Sequence, residues 1–363
     1  MILVVGRSVA IHLEKKTILE TAPNDFFIKN QGLAFQRAAA RTSDVLLLYG
    51  SSELTDPIPN RASEFFAKGA SGFEVCPVGK PGSTPLSMAQ RVAALGRDLR
   101  DKKIAILISP SFFFRHELDP STYAGNFSLS AASAVIFGTT VDLRLKSDLA
   151  KRMAEFPDTL AKSRILQMAV ASLISEKPYD RLIFAAIRPL GFLENAVLDL
   201  QDHFETLLYI SSGGKTISRR TIRNIFQPLE EKAAATDQRA RAKAVGSLIK
   251  LGAAGFQDRI SHATGWVDLE LLFRALTELR CRVIVLSMPL DGTFYDANGI
   301  SRPDRQFYYD QMRELAGRYQ IELNQFEDRD SDSSFQVLHH EHPTAQGWLY
   351  YDRALEDFFH KVK

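Results

Sequence analysis

The segment from residue 45 to residue 54 places the strongest constraint on the fold. Its first four residues form an unbroken apolar run, typical of a strand that is buried on both faces of a sheet. Gly50 follows and permits a tight turn, after which come Ser51 and Ser52. Ligands of open α/β sheets bind outside the carboxyl ends of the strands, so a hydroxyl here is placed as a nucleophile would be. The alternative is that the two serines only cap a following helix.

Further apolar runs alternate with helical patterns along the chain. Strands are predicted at residues 73–78, 103–109, 281–287 and 320–324, and helices at 32–42, 60–68, 87–100, 269–279, 304–318 and 345–361. Strands that alternate with helices are typical of βαβ units. The sequence therefore predicts a three-layer α/β fold of flavodoxin-like type, with a parallel sheet as its central layer.

The middle of the chain departs from this alternation. Helical patterns cover residues 145–176 and 190–206, and a polar, alanine-rich pattern covers residues 227–251. Pro178, Pro189 and the pair Gly213-Gly214 punctuate them. We predict a mainly helical insertion at about residues 145–265.

This insertion belongs to a predicted catalytic domain of residues 44–363. Residues 1–43 form a lead-in whose pattern is irregular from residue 11 onward, apart from the predicted helix at 32–42. The apolar run at residues 1–5 is far shorter than the ~20 residues that cross a bilayer.

Composition excludes several classes of protein. The chain has 363 residues, of which 45% are apolar and 24% charged, as in soluble globular proteins. The net charge of +2 argues neither for nor against a polyanionic partner. Basic residues are dispersed apart from the cluster at 218–223, which is read as a solvated loop or helix face, so no nucleic-acid partner is expected. Two cysteines form neither a disulfide framework nor a CxxC metal motif. Nucleotide-binding glycine motifs and the GxSxG motif are absent.

A serine nucleophile needs a neighbouring base, and the histidines near the C-terminus are the candidates. Three of the eight histidines, His339, His340 and His342, lie within four residues. Pro343 suits the first turn of a helix, which would place the His342 imidazole at the sheet edge, facing Ser52. A divalent metal site built from the three histidines, or an exposed histidine-rich turn, are the alternatives.

Acyl chemistry also needs hydrogen-bond donors for the developing oxyanion. Gly79 and Gly82 follow the second predicted strand and offer backbone N–H groups that no side chain obstructs. Ser111 follows the third predicted strand and adds a possible donor. A simple tight turn is the alternative interpretation of the two glycines.

Taken in order, these motifs resemble those of the SGNH (GDSL-type) hydrolases. More closely, the chain resembles the DltD family, the D-alanyl transfer proteins that modify cell-envelope polymers. The segments that carry the resemblance are GSSEL at 50–54, VGKPGS at 78–83, ISPSFF at 108–113, GNFS at 125–128, GTFYDANG at 292–299 and HPTAQGW at 342–348. The likeness is weakest across residues 180–250.

The resemblance implies a role for several residues. Ser52 would be the nucleophile and His342 the general base, with the Ser52 amide and Gly82 in the oxyanion hole. The family has an aspartate three residues before the histidine, and here that place is taken by His339. A histidine cannot stabilise an imidazolium as a carboxylate does, so either Asp332 or Glu341 substitutes, or the site works as a dyad.

The resemblance also implies a location and partners. Family members have one N-terminal transmembrane helix and a catalytic domain outside the cytoplasmic membrane, so residues 1–5 are read as the remnant of a removed anchor. The implied partners are a membrane-bound O-acyltransferase, an acyl (D-alanyl) carrier protein and an envelope glycopolymer acceptor, and no cofactor is implied. Two other functions remain open: a polysaccharide O-acetyltransferase or esterase, and a non-catalytic scaffold for the membrane acyltransferase.

Overall fold

A five-stranded parallel sheet forms the centre of the protein, with the strand order β2-β1-β3-β4-β5. The computed structural model describes residues 2–24, 32–68, 71–175, 177–211, 243, 245–337 and 342–361. The strands are β1 (Val45–Tyr49), β2 (Glu74–Val78), β3 (Lys103–Ile108), β4 (Arg282–Ser287) and β5 (Glu322–Asn324). This order is that of flavodoxin-like sheets, so the predicted fold class is confirmed.

Strand β1 occupies a central place because it pairs with β2 on one side and β3 on the other. All five of its residues are buried. Side chains alternate across a strand, so Leu46 and Leu48 join the core on one face while Leu47 and Tyr49 join the core on the other. The continuous apolar run therefore reflects burial on both faces.

Helices cover both faces of the sheet. Those within the described residues are α1 (Ile2–Thr21), α2 (Ala34–Arg41), α3 (Ala62–Phe66), α4 (Pro85–Leu95), α5 (Pro120–Asn126), α6 (Leu129–Phe137), α7 (Leu143–Ala154), α8 (Pro157–Leu160), α9 (Arg164–Ile174), α10 (Pro178–Ser211), α11 (Gly252–Ser261), α12 (Thr264–Glu278), α13 (Gly292–Ala297), α14 (Arg302–Arg318) and α15 (Ala345–His360).

The three layers follow from two separate cores. On one face, α3 and α15 bury Phe66, Trp348 and Tyr351 against the sheet. On the other face, α2, α4 and α12 belong to a larger core that also contains the helices between β3 and β4. Within the described residues, the chain between β3 and β4 is helical and contains no strand, as the predicted helical insertion requires.

One boundary inside this helical region was predicted wrongly. Pro189 was expected to separate two helices, but α10 continues through it from Pro178 to Ser211. A proline inside a helix removes one backbone hydrogen bond, which packing can offset. Close to Pro189, the helix packs tightly against α6: a Cβ added at Gly191 would lie 2.2 Å from the Phe137 ring. The basic cluster at 218–223, the Gly213-Gly214 pair and most of the helix predicted at 227–251 lie outside the described residues.

The N-terminal region also differs from the prediction. Residues 11–21 were expected to be irregular, yet they belong to α1, which begins at Ile2. A buried contact of 2.7 Å between Glu14 Oε1 and His203 Nδ1 joins α1 to α10, and Arg7 pairs with Asp199 on the same helix. Within the described part of the chain, we find no helix with both the length and the apolar character needed to cross a bilayer.

The buried carboxyl group of Asp352 should make the stability of the protein depend on pH. This residue of α15 is 1% exposed, and neither carboxylate oxygen has a hydrogen-bond partner among the described residues. Burial, reinforced by the charge of Glu356, raises the pKa of Asp352 from 3.8 to about 8. The folded protein therefore holds a proton that the unfolded chain releases, so the free energy of unfolding falls as the pH rises from 4 to 8.

We expect Asp352→Asn to remove this dependence, because the amide stays neutral. The variant should exceed the wild type in stability by about 1–3 kcal/mol at pH 8 and by less at pH 5, as measured by urea unfolding. Asp357→Asn, on the exposed side of the same helix, is the control and should leave the pH profile unchanged. Parallel profiles for Asp352→Asn and the wild type would contradict the assignment.

Candidate active site

The turn after β1 is shaped by its contact with the end of β2. The Gly50 N–H donates to the Val78 carbonyl at 3.1 Å, so the two segments remain together beyond the strands. A Cβ on Gly79 would lie 2.0 Å from the Gly50 carbonyl oxygen. Gly79 is thus required by close backbone approach, in agreement with the tight turn considered from the sequence.

The two serines that follow point in different directions. Ser51 is fully buried. Its N–H donates to Glu53 Oε1 at 2.5 Å, and its hydroxyl donates to the Lys80 carbonyl at 3.4 Å. Ser52 begins a short helical turn in which the Asp56 N–H donates to the Ser52 carbonyl at 3.2 Å. Residues four apart in such a turn lie on the same side, so Ser52 and Asp56 face one region.

His342 reaches that region from the other end of the chain. It lies in β7 (His342–Pro343), which pairs antiparallel with β6 (Gln336–Val337). Helix α15 begins after Thr344, whose hydroxyl accepts the Gly347 N–H at 2.8 Å. Pro343 therefore belongs to a strand, and its predicted place in the first turn of a helix was wrong.

Ser52, His342 and Asp56 form one continuous array. Ser52 Oγ lies 3.0 Å from His342 Nε2, and His342 Nδ1 is hydrogen-bonded to Asp56 Oδ2. Ser52 and His342 are each 8% exposed. An Nδ1–H that donates to the carboxylate leaves Nε2 to accept the proton of the serine hydroxyl.

Asp56 was missed in the sequence analysis. His339 and Glu341, two candidates for orienting the histidine, lie outside the described residues. Asp332, the third candidate, accepts hydrogen bonds from the amide and hydroxyl of Ser334. The carboxylate bonded to His342 Nδ1 is that of Asp56, so the suggestion of Asp332 was wrong. The available signal was the four-residue spacing between Ser52 and Asp56, which places the two side chains on one helical turn.

Neighbouring segments hold the loop that carries Asp56. The Asn60 amide donates to the Ala345 carbonyl at 3.2 Å, and the Arg61 guanidinium donates to the Leu54 carbonyl at 3.2 Å. The first of these bonds joins the Asp56 loop directly to the start of α15. The segments that carry Asp56 and His342 are therefore connected beyond the side-chain contact itself.

The predicted donors Gly82 and Ser111 line one cleft. Gly82 has φ +81°, and the Ser83 N–H donates to the Lys80 carbonyl at 2.9 Å. Pro81 followed by a glycine of positive φ is the pattern of a type II turn. The Lys80 carbonyl also accepts from Ser51, which places the turn next to the serine pair, although Ser52 and His342 do not line the cleft.

A buried amide supports this turn. Asn126 is 2% exposed, its Oδ1 accepts the Ser83 hydroxyl at 3.0 Å, and its Nδ2 donates to the Pro81 carbonyl at 3.2 Å. Ser111 is held by another contact, since its hydroxyl lies 2.8 Å from the Ser109 hydroxyl. Side chains from α5 and from the end of β3 thus shape the edge of the cleft.

The metal alternative receives no support from the residues that can be described. No cluster of three histidine, cysteine or carboxylate side chains suited to a metal occurs among them. His339 and His340 fall outside those residues. Both ring nitrogens of His342 already have partners, Ser52 and Asp56.

Asn126→Ala should destabilise the protein by about 1–3 kcal/mol, because it removes the donor to the half-buried Pro81 carbonyl and the acceptor of the buried Ser83 hydroxyl. Urea unfolding measures this difference. Asn195→Ala is a matched control, since that half-buried amide donates only one bond among the described contacts, to the Ser133 carbonyl at 3.3 Å. Equal losses for the two variants would contradict the special role of Asn126.

Comparison with known proteins gives a consistent result. The family described as DltD protein matches residues 27–247 and 255–360 of this chain. A protein named Protein DltD from Bacillus subtilis (strain 168) is 23% identical over 341 residues, which cover 91% of this chain and 86% of that protein. Another protein of that name, from Staphylococcus aureus (strain NCTC 8325 / PS 47), is 23% identical over 326 residues, covering 85% and 79% respectively.

Proposed function

The chain belongs to the DltD family, and on this basis we propose that it transfers an acyl group, D-alanyl, to an envelope glycopolymer through a Ser52 acyl-enzyme. The observation that carries the proposal is the hydrogen-bonded array of Ser52, His342 and Asp56 at the carboxyl end of β1. Nucleophile, base and orienting carboxylate each have a candidate there, at hydrogen-bond distance from one another.

In the first step, Ser52 Oγ attacks the carbonyl carbon of the donor ester or thioester. His342 Nε2 accepts the hydroxyl proton, and Asp56 stabilises the imidazolium through the Nδ1–H bond. The tetrahedral intermediate collapses when the bond to the leaving group breaks and His342 returns the proton to that group. The acyl group is then esterified to Ser52.

In the second step, a hydroxyl of the glycopolymer attacks the acyl-enzyme. His342 accepts the proton of that hydroxyl and returns it to Ser52 Oγ as the acyl–serine bond breaks. With water in place of the polymer hydroxyl, the same sequence is hydrolysis. The scheme uses only protein side chains and the two substrates.

Backbone and hydroxyl donors near Ser52 would stabilise the oxyanion of both intermediates. We assign this role to the N–H groups of Ser52 and Gly82, with Ser111 as a further donor. The type II turn and its Asn126 support hold Gly82 in place before substrate binds, and preorganised donors of this kind contribute strongly to catalysis. The low exposure of Ser52 and His342 strengthens these electrostatic interactions.

The partners in this proposal follow from the family. A membrane-bound O-acyltransferase would supply an acyl group that originates on an acyl (D-alanyl) carrier protein, and the reaction would take place outside the cytoplasmic membrane. A polysaccharide O-acetyltransferase or esterase would use the same three residues on another acyl group. A scaffold would need no serine–histidine–aspartate array, so this array favours an enzyme.

Ser52→Ala should abolish both reaction with a fluorophosphonate probe and transfer in cells. Intact-protein mass spectrometry should show one adduct on the wild type and none on the variant, while Ser51→Ala should still react. In cells that lack the gene, the wild type should restore D-alanyl esters on the envelope polymer and Ser52→Ala should not. Restoration by Ser52→Ala would indicate a scaffold, and acetyl groups in place of D-alanyl would indicate the other acyl transfer.

Asp56→Asn should lower the hydrolysis rate of a p-nitrophenyl ester by about 10²–10⁴-fold, because an amide favours the wrong histidine tautomer and cannot stabilise the imidazolium. His342→Ala should lose at least ~10²-fold, the scale of a lost general base. Asp332→Asn is the control, because Asp332 lies ten residues before His342 in the sequence. Its hydrolysis rate should stay close to that of the wild type. An unchanged rate for Asp56→Asn would remove Asp56 from the mechanism.

A further inference from the structure

A cavity of about 240 Å³, the amino-edge cavity, lies where β1 and β3 begin. The two strands pair only from Leu47 and Ile104 onward, whereas β1 pairs with β2 from Val45. The first two residues of β1 therefore have no partner on β3, which leaves a gap between the strands. Protein interiors are close-packed and contain few voids larger than a water molecule, so a space of this size is suited to a ligand.

Apolar side chains supply much of the lining of the amino-edge cavity. They are the buried side chains of Ala40 in α2, Val45 and Leu47 in β1, and Leu99, together with the half-buried ring of Phe359 in α15. An apolar cavity of about 150 Å³ is already large enough to bind benzene. The amino-edge cavity can therefore admit a longer hydrocarbon group.

Cations gather at the same end of the sheet. Lys102 and Lys103 line the cavity, and Arg282 lies opposite Lys103 on the neighbouring strand β4. Lys103 Nζ donates to the carbonyls of Phe359 and Lys361 at 2.5 and 3.0 Å, and Arg282 Nη2 donates to the Lys361 carbonyl at 3.3 Å. Carbonyl oxygens carry only partial charges, so the repulsion between the full positive charges remains.

None of these three cations forms an ion pair with a carboxylate within the part of the chain that the structure describes. Asp101 is the acidic residue in the lining, and its carboxylate is already paired with Arg280 at 3.0 Å. Burial, and then the charge of Arg282, lowers the pKa of Lys103. A bound anion would offset both effects, since it supplies the missing opposite charge.

We infer that the amino-edge cavity binds a small amphiphile with an alkyl chain and an anionic head group, either a carboxylate or a phosphate. The alkyl chain occupies the apolar part of the cavity, and the head group pairs with Lys102 and Lys103. The same two side chains repel a cationic amphiphile, and a neutral one gives them no opposite charge. Ser52 follows the other end of β1, so the inference does not depend on the acyl-transfer proposal.

Isothermal titration calorimetry of the full chain tests this inference with octanoate as the probe. Octanoate should bind about tenfold or more tightly than octan-1-ol, because the alcohol cannot form charge-assisted hydrogen bonds with the lysines, and octylammonium should bind more weakly than either. Octyl phosphate identifies the head group: tighter binding than octanoate indicates a phosphate, and weaker binding a carboxylate. If the wild type bound neither anion, or bound octan-1-ol as tightly as octanoate, the inference would be overturned.

A larger side chain at Ala40 tests the position of the alkyl chain. Ala40→Leu fills part of the cavity, so it should weaken octanoate binding by about tenfold or more. Ala124→Leu is the matched control, since Ala124 is exposed on α5, outside the cavity. Circular dichroism of each variant establishes that it is folded. Unchanged octanoate binding by folded Ala40→Leu would place the ligand elsewhere and contradict the assignment.

Charge reversal tests the position of the head group. Lys102→Glu should remove the preference for octanoate over octan-1-ol, because the new carboxylate repels the anion, while the affinity for octan-1-ol changes little. Lys15→Glu is the control, since Lys15 is an exposed lysine on α1, outside the cavity. A preference for octanoate that persists in folded Lys102→Glu would show that the head group does not lie beside this lysine, and the proposed pairing would be wrong.

Discussion

The hydrogen bond between Ser52 and His342 joins residues 290 positions apart, and much of the architecture serves to make that contact. Ser52 depends on β1, which is held in register between β2 and β3. His342 depends on the β6–β7 pair and on α15, which packs against the same sheet. If the segment that carries Ser52 or the one that carries His342 moved by about an ångström, their bond of 3.0 Å would break. The geometry of the site therefore depends on the packing of the sheet.

The other parts of the site are positioned by local backbone geometry. Ser52 and Asp56 share one helical turn, so their separation is set by a backbone hydrogen bond and does not depend on a distant segment. The Pro81-Gly82 turn is likewise determined by its own residues and is then held by Asn126. The site therefore combines two short-range constraints with one long-range contact. In the proposed mechanism, such preorganisation reduces the reorganisation required when charge develops in the transition state.

The predictions that failed share a physical cause. Pro189 lies within a continuous helix because packing around Gly191 offsets a lost hydrogen bond. Pro343 lies in a short strand because His342 pairs with Val337. In each case the tertiary structure overrode the local preference of the residue. The buried strands were predicted well because burial on both faces leaves an unbroken apolar run that few other structures share.

The sequence by itself determined the alternation of strands and helices, the parallel sheet, the serine after the first strand and the histidine that meets it. These features arise from apolar periodicity and from motifs of adjacent residues. Only the tertiary structure decided that Asp56 is hydrogen-bonded to the histidine and that the apolar side chains of α10 face outward. A linear pattern shows which side of a helix is apolar, but what covers that side depends on elements far away in the chain.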